Sequence, residues 1–116
     1  TRIVDSFLEH ARIWYFGNGG NPKVFMGSPD WMRRNLYRRI EAITPVLDPD
    51  LRNSLIEMLT IQLADNQKAC RVDAKLQNIF KKRTPGTPAI RAQYTLYNWL
   101  CSNNAQQPKD QPAMSQ

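Results

Sequence analysis

Apolar residues recur along the chain at two intervals, one typical of helices and the other typical of strands. The most regular helical spacing follows Asp48-Pro49, an acidic N-cap with proline in the first helical position, and predicts a helix that runs to about Asp65. Similar spacing predicts a second amphipathic helix that starts at Thr87-Pro88 and a short helix over residues 2–9. The short helix would place His10 directly at a helix end.

A β-hairpin is predicted between the first two of these helices in chain order. Residues 13–16 form a brief aromatic and β-branched run, and residues 23–26 form the returning strand. Residues 17–22 are rich in types that tolerate positive φ and predict the turn that joins the strands. This glycine-rich turn lacks the lysine and Ser/Thr of a P-loop and precedes a strand, so we do not expect it to bind a nucleotide.

The remaining segments complete an α/β pattern. They are one or two helical turns or a plain turn at 30–37, strands at 39–46 and 68–73, and a basic loop at 81–86. We therefore expect one α/β domain over residues 1–102, in which amphipathic helices pack a short mixed β-sheet. The polar, proline-containing residues 103–116 predict a disordered C-terminal tail.

Composition limits the class of protein. Of the 116 residues, 41% are hydrophobic, which suffices for one core, and no apolar run is long enough to span a membrane. The net charge of +6 and the pI near 9.7 favour polyanionic partners without selecting among nucleic acid, nucleotides and phosphate polymers. We expect a cytoplasmic protein, with peripheral attachment to a membrane left open. Because the first residue is threonine, we expect the chain to be a piece of a longer polypeptide.

Cysteine and histidine usage argues against a zinc site. Cys70 and Cys101 lie far apart in the sequence, and His10 is the single histidine, so the chain is short of the four ligands that a structural zinc ion needs. We expect no metal ligands in this chain and interpret both cysteines as ordinary residues of a cytoplasmic protein.

The candidate chemistry lies in the first part of the chain. Arg12 follows His10 by two positions, and a later apolar run ends at Gly27-Ser28-Pro29-Asp30. Imidazole can attack phosphorus or move a proton near neutral pH, and a guanidinium offers a fixed fork of donors to phosphoryl oxygens. Small residues at a strand end let backbone N–H groups approach a substrate. This order of residues favours phosphoryl chemistry.

Several longer runs of sequence carry a family resemblance. They are Ile3-Val4-Asp5-x-Phe7-Leu8-Glu9-His10-x-Arg12, Phe16-Gly17-Asn18-Gly19-Gly20, Gly27-Ser28-x-Asp30-Trp31-Met32-x-Arg34-Asn35-Leu36, Arg38-Arg39-Ile40-Glu41, Thr44-Pro45-Val46-x-Asp48-Pro49, Leu63-Ala64-Asp65-Asn66 and Ile90-Arg91-Ala92-Gln93. Together they resemble the C-terminal part of the bacterial polyphosphate kinases, up to about Ser102 and most specifically up to Ile40.

The resemblance implies a phospholipase-D-like fold, in which two related halves each contribute a histidine to one site. It implies an enzyme that reversibly transfers the terminal phosphate of ATP to inorganic polyphosphate through a phosphohistidine, with ADP as the other nucleotide. The phosphorylated histidine and the Mg²⁺ site would lie in the preceding domain, outside this chain. The expected partners are ATP, polyphosphate and the rest of the parent polypeptide, with homo-oligomers typical of the family and no nucleic acid.

The resemblance also implies roles for residues of this chain. His10 corresponds to the second histidine, which contacts the nucleotide phosphates and donates a proton or stabilises developing charge. Arg12 takes the place of the lysine in the phospholipase D pattern, and Ser28 and Asp30 belong to a Gly-Ser-x-Asp in place of its Gly-Ser-x-Asn. The arginines expected near the phosphates are Arg12, Arg34 and Arg39.

Residue chemistry leaves other functions open. One histidine cannot easily become phosphorylated and also manage the leaving oxygen, so we expect the chain to hold half a site and to be inert alone. A phospholipase-D-like phosphodiesterase half-site is one alternative, against which the arginine at position 12 argues. A non-catalytic basic module that binds nucleic acid or polyphosphate is another, and it would need no histidine.

Overall fold

The computed structural model describes residues 1–75 and 77–106, and in these ranges short strands and three helices surround a small core. The strands are β1 (Arg2–Ile3), β2 (Ile13–Phe16), β3 (Lys23–Gly27), β4 (Ile43–Pro45), β5 (Ala69–Arg71) and β6 (Ile79–Phe80). The helices are α1 (Arg33–Arg38), α2 (Pro49–Ala64) and α3 (Ala92–Gln106). The α/β class is confirmed, with the strands divided between two antiparallel sheets.

One sheet has the strand order β2-β3-β4 and contains the expected hairpin. Trp14 lies opposite Phe25 in the β2–β3 ladder, and Phe25 in turn lies opposite Pro45 of β4. The turn between β2 and β3 is a single 3₁₀ turn in which Asn18 has φ 45° and Gly20 has φ 93°. These left-handed conformations suit glycine and asparagine, so the hairpin prediction is confirmed together with its turn chemistry.

The second sheet has the order β1-β5-β6 and shows that the predicted helix over residues 2–9 is wrong. Arg2 lies opposite Cys70 of β5, and residues 4–12 have no regular secondary structure. Short helices are marginal in water, so helical spacing over so few residues does not outweigh pairing with another strand.

Both long helices form, but only one begins where expected. Asp48 caps α2 as predicted, since its carboxylate accepts the N–H groups of Asp50 and Leu51, each over 2.9 Å. Helix α3 starts at Ala92 and not at Thr87-Pro88, because its first N–H is bound by the carboxylate of Asp65 from the end of α2. A cap supplied from across the fold leaves no signal in the local sequence.

The other predicted boundaries change in detail. The strand expected over 39–46 is reduced to β4, because the partner strand β3 ends at Gly27, which lies opposite Ile43. The strand expected over 68–73 is confirmed in its central part as β5. Helix α3 extends to Gln106, so residues 103–106 of the predicted tail are helical, and the remainder of that prediction, positions 107–116, lies outside the described residues.

The core is small and draws on both sheets and both long helices. Its buried apolar side chains are Val24 of β3, Ile61 of α2, Ala69 and Cys70 of β5, and Ala92 of α3. The segment of residues 4–12 passes from the β1-β5-β6 sheet to the β2-β3-β4 sheet and carries His10 between them. Among the described helices, none has the length and apolar character needed to cross a bilayer.

Candidate functional site

His10 lies in the segment that joins the two sheets, and its ring meets two charged side chains. The Nε2 atom of His10 is 2.8 Å from Oδ1 of Asp30 and 2.7 Å from Nη2 of Arg12. The Nε of Arg12 donates to the same Asp30 oxygen over 2.9 Å. The fold thus brings together three of the candidate residues. We call these three side chains the His10 cluster.

The end of the β2–β3 hairpin positions the cluster. The Gly27 N–H donates to the carbonyl of Arg12 over 3.2 Å, which holds the start of β2 against the end of β3. A Cβ atom on Gly27 would lie 2.5 Å from the carbonyl oxygen of Ala42, so the close approach of the chain before β4 requires glycine here. The turn that follows Gly27 then carries Asp30 to the imidazole.

The cluster is charged and partly open to solvent. The side chain of His10 is 52% exposed, that of Arg12 32% and that of Asp30 25%. The hydrogen bond from His10, with further help from the Arg12 guanidinium, lowers the pKa of Asp30 below its ordinary value of 3.8. Asp30 is therefore a carboxylate at neutral pH.

The imidazole has a partner for either protonation state of Nε2. A protonated Nε2 can donate to Asp30, whereas a deprotonated Nε2 can accept from Arg12, and one nitrogen cannot do both at once. The ring can therefore gain or lose a proton at this atom without losing a hydrogen bond. Such an arrangement suits general acid–base chemistry.

Ser28 lies close in sequence to Asp30 but belongs to a different network. Its hydroxyl donates to the carboxylate of Glu41 and accepts the Ala42 N–H over 3.1 Å. Asn35, which is buried, donates to the other oxygen of Glu41 over 2.7 Å. The bonds from Ser28 and Asn35 lower the pKa of Glu41. Through Glu41 the same bonds connect α1 to the turn after β3. In this structure Ser28 supports the strand end and does not contact the imidazole.

The other two arginines expected near phosphate, Arg34 and Arg39, lie on or next to α1 and are exposed. Arg34 belongs to the first turn of α1, and Arg39 follows the helix at its C-cap. Arg39 is near enough to Glu41 to contribute to the lowered pKa of that carboxyl group. Within the described residues neither arginine is hydrogen-bonded to the His10 cluster, so a role at phosphate stays a prediction for both.

Two neighbouring hollows border the cluster. One, of about 140 Å³, is lined by His10, Arg12 and Asp30 together with Trp14 and Trp31. The other, of about 540 Å³, shares Trp14, Pro29, Asp30 and Trp31 and is otherwise lined by the apolar residues Phe16, Phe25, Leu36 and Ile43. The charged cluster thus lies at the edge of an apolar surface.

Comparison with known proteins identifies the family of this chain. Residues 1–93 match the family model described as polyphosphate kinase C-terminal domain 2. The chain belongs to the polyphosphate kinase family. It is 52% identical over 83 residues to the polyphosphate kinase of Parasynechococcus marenigrum strain WH8102 and 41% identical over 100 residues to that of Escherichia coli strain K12. The alignments cover 72% and 86% of this chain.

A solved polyphosphate kinase, from Porphyromonas gingivalis, has a similar fold with a TM-score of 0.84 at 51% sequence identity over 91% of this chain. The matched region is only 16% of that protein's chain, and it is 11% and 14% of the two curated polyphosphate kinases. This chain therefore spans a small part of the length of its relatives, and it corresponds to a C-terminal domain region.

The described part of this polyphosphate kinase domain does not gather a metal-binding set. Across residues 1–75 and 77–106, no group of three or more His, Cys, Asp or Glu side chains could hold a metal ion. The described residues therefore do not fit a Mg²⁺ site of their own.

Sequence reasoning missed the side chains that hold the segment in front of His10. Arg91 binds Asp5 through two hydrogen bonds of 2.8 and 2.6 Å, and Gln93 binds Phe7 and Glu9. The run Ile90-Arg91-Ala92-Gln93 carried part of the family resemblance, but nothing in its spacing indicates which distant segment it contacts.

Proposed function

We propose that this chain supplies His10 and its partners to a site that reversibly transfers the terminal phosphate of ATP to inorganic polyphosphate. The contact of His10 with both Asp30 and Arg12 at a half-exposed position carries the proposal. Membership of the polyphosphate kinase family supports it independently. A purely structural histidine would be expected among apolar side chains, whereas this ring faces charged groups and solvent.

The role assigned to His10 is proton transfer and charge stabilisation at the nucleotide phosphates. Its Nε2 atom is occupied by Asp30 or Arg12, and within the described residues Nδ1 has no partner, so Nδ1 is the ring nitrogen that can donate to a phosphoryl oxygen. When Nε2 keeps its proton and donates to Asp30, the ring can give the Nδ1 proton to a phosphoryl oxygen and remain a neutral imidazole. General acid–base catalysis of this kind typically contributes about 10²–10⁴-fold to a rate.

Nearby positive charge would attract and hold the phosphates. Arg12 belongs to the His10 cluster, while Arg34 and Arg39 lie exposed on or next to α1, on the chain that follows Asp30. Guanidinium groups bind phosphate oxygens through two parallel hydrogen bonds, which fixes orientation as well as charge. The net charge of +6 would also raise the local concentration of a polyanion such as polyphosphate.

The rest of the site would come from the parent polypeptide. Displacement through a phosphorylated enzyme needs one group that carries the phosphate and another that manages the leaving oxygen, and this chain has one histidine. We assign the phosphohistidine and the Mg²⁺ ligands to segments outside this chain, which spans 11–16% of its compared relatives. The isolated chain should therefore form no polymer when supplied with ATP and Mg²⁺.

The deciding experiment is His10→Ala in the parent polypeptide, with ATP-dependent polyphosphate synthesis as the readout. We expect synthesis to fall by about 10²-fold or more, because the proton-transfer group is removed. Asn98→Ala is a suitable control, since Asn98 is an exposed residue of α3. Synthesis at the wild-type rate by the His10→Ala protein would contradict the proposal.

Two further assays on the wild-type and His10→Ala proteins separate the alternative functions. Hydrolysis of a phosphodiester without any nucleotide, lost in His10→Ala, would indicate a phospholipase-D-like half-site. Binding of polyphosphate or nucleic acid that survives His10→Ala and falls steeply with salt, without turnover by either protein, would indicate a basic binding module.

A further inference from the structure

The backbone that carries His10 is held mainly by side chains from other elements. The segment of residues 4–12 is tied at its ends, where the Val4 N–H donates to the Lys68 carbonyl over 3.0 Å and the Gly27 N–H donates to the Arg12 carbonyl over 3.2 Å. Between these ends, and among the described residues, the long-range hydrogen bonds to the backbone are made by the side-chain amide of Gln93. The position of the imidazole therefore depends on what holds this amide.

Gln93 pairs with Phe7 in the way that a neighbouring strand would. Its Oε1 accepts the Phe7 N–H over 3.1 Å, and its Nε2 donates to the Phe7 carbonyl over 2.7 Å. The two bonds fix the orientation of the amide, because rotation by 180° would set donor against donor and acceptor against acceptor.

The same amide also holds the residue directly before His10. Nε2 of Gln93 donates to Oε1 of Glu9 over 2.8 Å, and Gln62 of α2 donates to the other Glu9 oxygen over 3.2 Å. Glu9 is thus turned toward the two long helices, while the ring of His10 faces Asp30. Both oxygens of the Glu9 carboxylate have a donor, so its direction is constrained.

Gln93 is itself held in place at the start of α3. The preceding residue, Ala92, is buried and donates its N–H to Asp65 over 2.7 Å. The neighbouring Arg91 binds the carboxylate of Asp5 and the hydroxyl of Ser6 at the beginning of the same segment. The first turn of α3 is therefore anchored to α2 on one side and to the segment of residues 4–12 on the other.

We propose that Gln93 is a positioning residue for His10, acting through the backbone of Phe7 and the carboxylate of Glu9. The inference rests on the proposed function, since it matters for activity only if His10 works at the phosphates. Gln93 does not belong to the His10 cluster, so its effect is exerted through geometry. A displacement of a catalytic group by about 1 Å can lower a rate by about 10²-fold.

The test is Gln93→Glu in the parent polypeptide, with polyphosphate synthesis measured across pH. The substitution keeps the shape of the side chain but replaces the amide that donates to Glu9 and to the Phe7 carbonyl by a second carboxylate, so kcat at neutral pH should fall by about 10- to 100-fold. Two adjacent carboxylates favour protonation of one of them, and the protonated acid can again donate to its neighbour. The loss relative to wild type should therefore shrink as the pH is lowered. Gln77→Glu makes the same chemical change at an exposed site and should leave the rate and its pH profile unaltered.

A double variant provides the rescue. In Glu9→Gln combined with Gln93→Glu, the amide at position 9 can donate to the carboxylate at position 93, which restores the bond with the partners exchanged and leaves one negative charge. We expect this protein to recover part of the synthesis that Gln93→Glu loses at neutral pH, with a melting temperature between those of Gln93→Glu and wild type, because the bond from position 93 to the Phe7 carbonyl stays lost.

The outcomes separate this inference from the proposed function. If His10→Ala abolishes synthesis while Gln93→Glu retains the wild-type rate at every pH, the positioning role is wrong and the proposed function stands. If Gln93→Glu loses activity only in proportion to a lowered melting temperature, without recovery at low pH or in the double variant, Gln93 serves folding alone and the inference is overturned. Wild-type synthesis by His10→Ala would remove the proposed function itself.

Discussion

The carboxylate of Asp65 accepts the backbone N–H of Ala92 over 2.7 Å, so a side chain at the end of α2 caps the first residue of α3. Its other oxygen accepts three further backbone N–H groups, from the residues at positions 67, 68 and 69, over 2.6 to 2.9 Å. Burial alone would raise the pKa of Asp65, but these donors outweigh burial and lower it. One buried carboxylate thus joins both long helices to β5.

We expect Asp65→Asn to weaken this junction strongly. The amide keeps one acceptor but sets an NH₂ group against backbone N–H donors, and each lost hydrogen bond to a charged group costs about 1.5–3 kcal/mol. Hydrogen exchange of the amides at positions 67–69 and 92, measured in the parent polypeptide, should therefore become much faster. Asp73→Asn is the matched control, because Asp73 also accepts two backbone N–H groups but does so at the surface. Unchanged protection of the Ala92 amide in Asp65→Asn would contradict this account.

Gly27→Ala should destabilise the region around the His10 cluster. The added methyl group would lie 2.5 Å from the Ala42 carbonyl oxygen and 3.0 Å from the Ile43 side chain. Because the nearer atom belongs to the backbone, the chain at Ala42 would have to move. Forcing a methyl group into a packed site typically costs about 1–3 kcal/mol. Gly17→Ala is the control, since its Cβ would meet nothing within 4 Å and its φ is −64°. The melting temperature should fall clearly in Gly27→Ala and change little in Gly17→Ala.

The Asp5–Arg91 pair should make the segment before His10 sensitive to acid. The hydrogen bonds from Arg91 lower the pKa of Asp5 to about 2, from an ordinary value of 3.8. Because the folded-state pKa is depressed, the stabilisation is complete above the ordinary value and is lost as the pH falls toward 2. Asp5→Asn should remove it at all pH values, at a cost of about 1.5–3 kcal/mol near neutrality. The difference in melting temperature between wild type and Asp5→Asn should narrow between pH 5 and pH 2, on the linkage argument. A constant difference across that range would show that Asp5 contributes no charge-dependent stability.

Arg12→Lys tests whether the guanidinium shape matters as well as its charge. Arg12 reaches Asp30 with Nε and His10 with Nη2, and a lysine ammonium cannot form this two-sided contact in the same plane. We expect a substantial fall in kcat for Arg12→Lys in polyphosphate synthesis, and a fall of about 10²–10³-fold for Arg12→Ala, as for the loss of one charge-stabilising donor. Arg33→Lys, an exposed site on α1, is the control for the same substitution. Full activity in Arg12→Lys would show that the lysine of the phospholipase D pattern can replace Arg12, and would contradict a role for the guanidinium shape.

Local chemistry explains which elements could be predicted. The β2–β3 hairpin followed from residues that accept positive φ at Asn18 and Gly20, and α2 followed from Asp48 and Pro49, which act on their own first turn. The first residues have helical spacing yet form β1, because β5 offers a strand partner that is distant in sequence. The start of α3 was misjudged for a similar reason, since its cap comes from Asp65.

In the candidate site, too, the residue types could be predicted from the sequence, whereas the contacts depend on the fold. His10, Arg12 and Asp30 were singled out by their type and order, and the fold brings them within hydrogen-bonding distance. Ser28 was grouped with them as part of the Gly-Ser-x-Asp motif, yet its hydroxyl donates to Glu41 and does not contact the imidazole. The roles of Arg34 and Arg39 at phosphate stay predictions.

The sequence by itself determined the α/β class, the hairpin, the long helix α2, the family resemblance and His10, Arg12 and Asp30 as candidate residues, because turn geometry, capping and residue chemistry belong to single residues and their near neighbours. Tertiary structure alone decided that residues 4–12 run without regular structure between two sheets, and that Gln93 and Arg91 hold them from a helix more than eighty positions away. Such contacts depend on which distant backbone groups remain without partners once the sheets and helices have formed, and no local pattern records that.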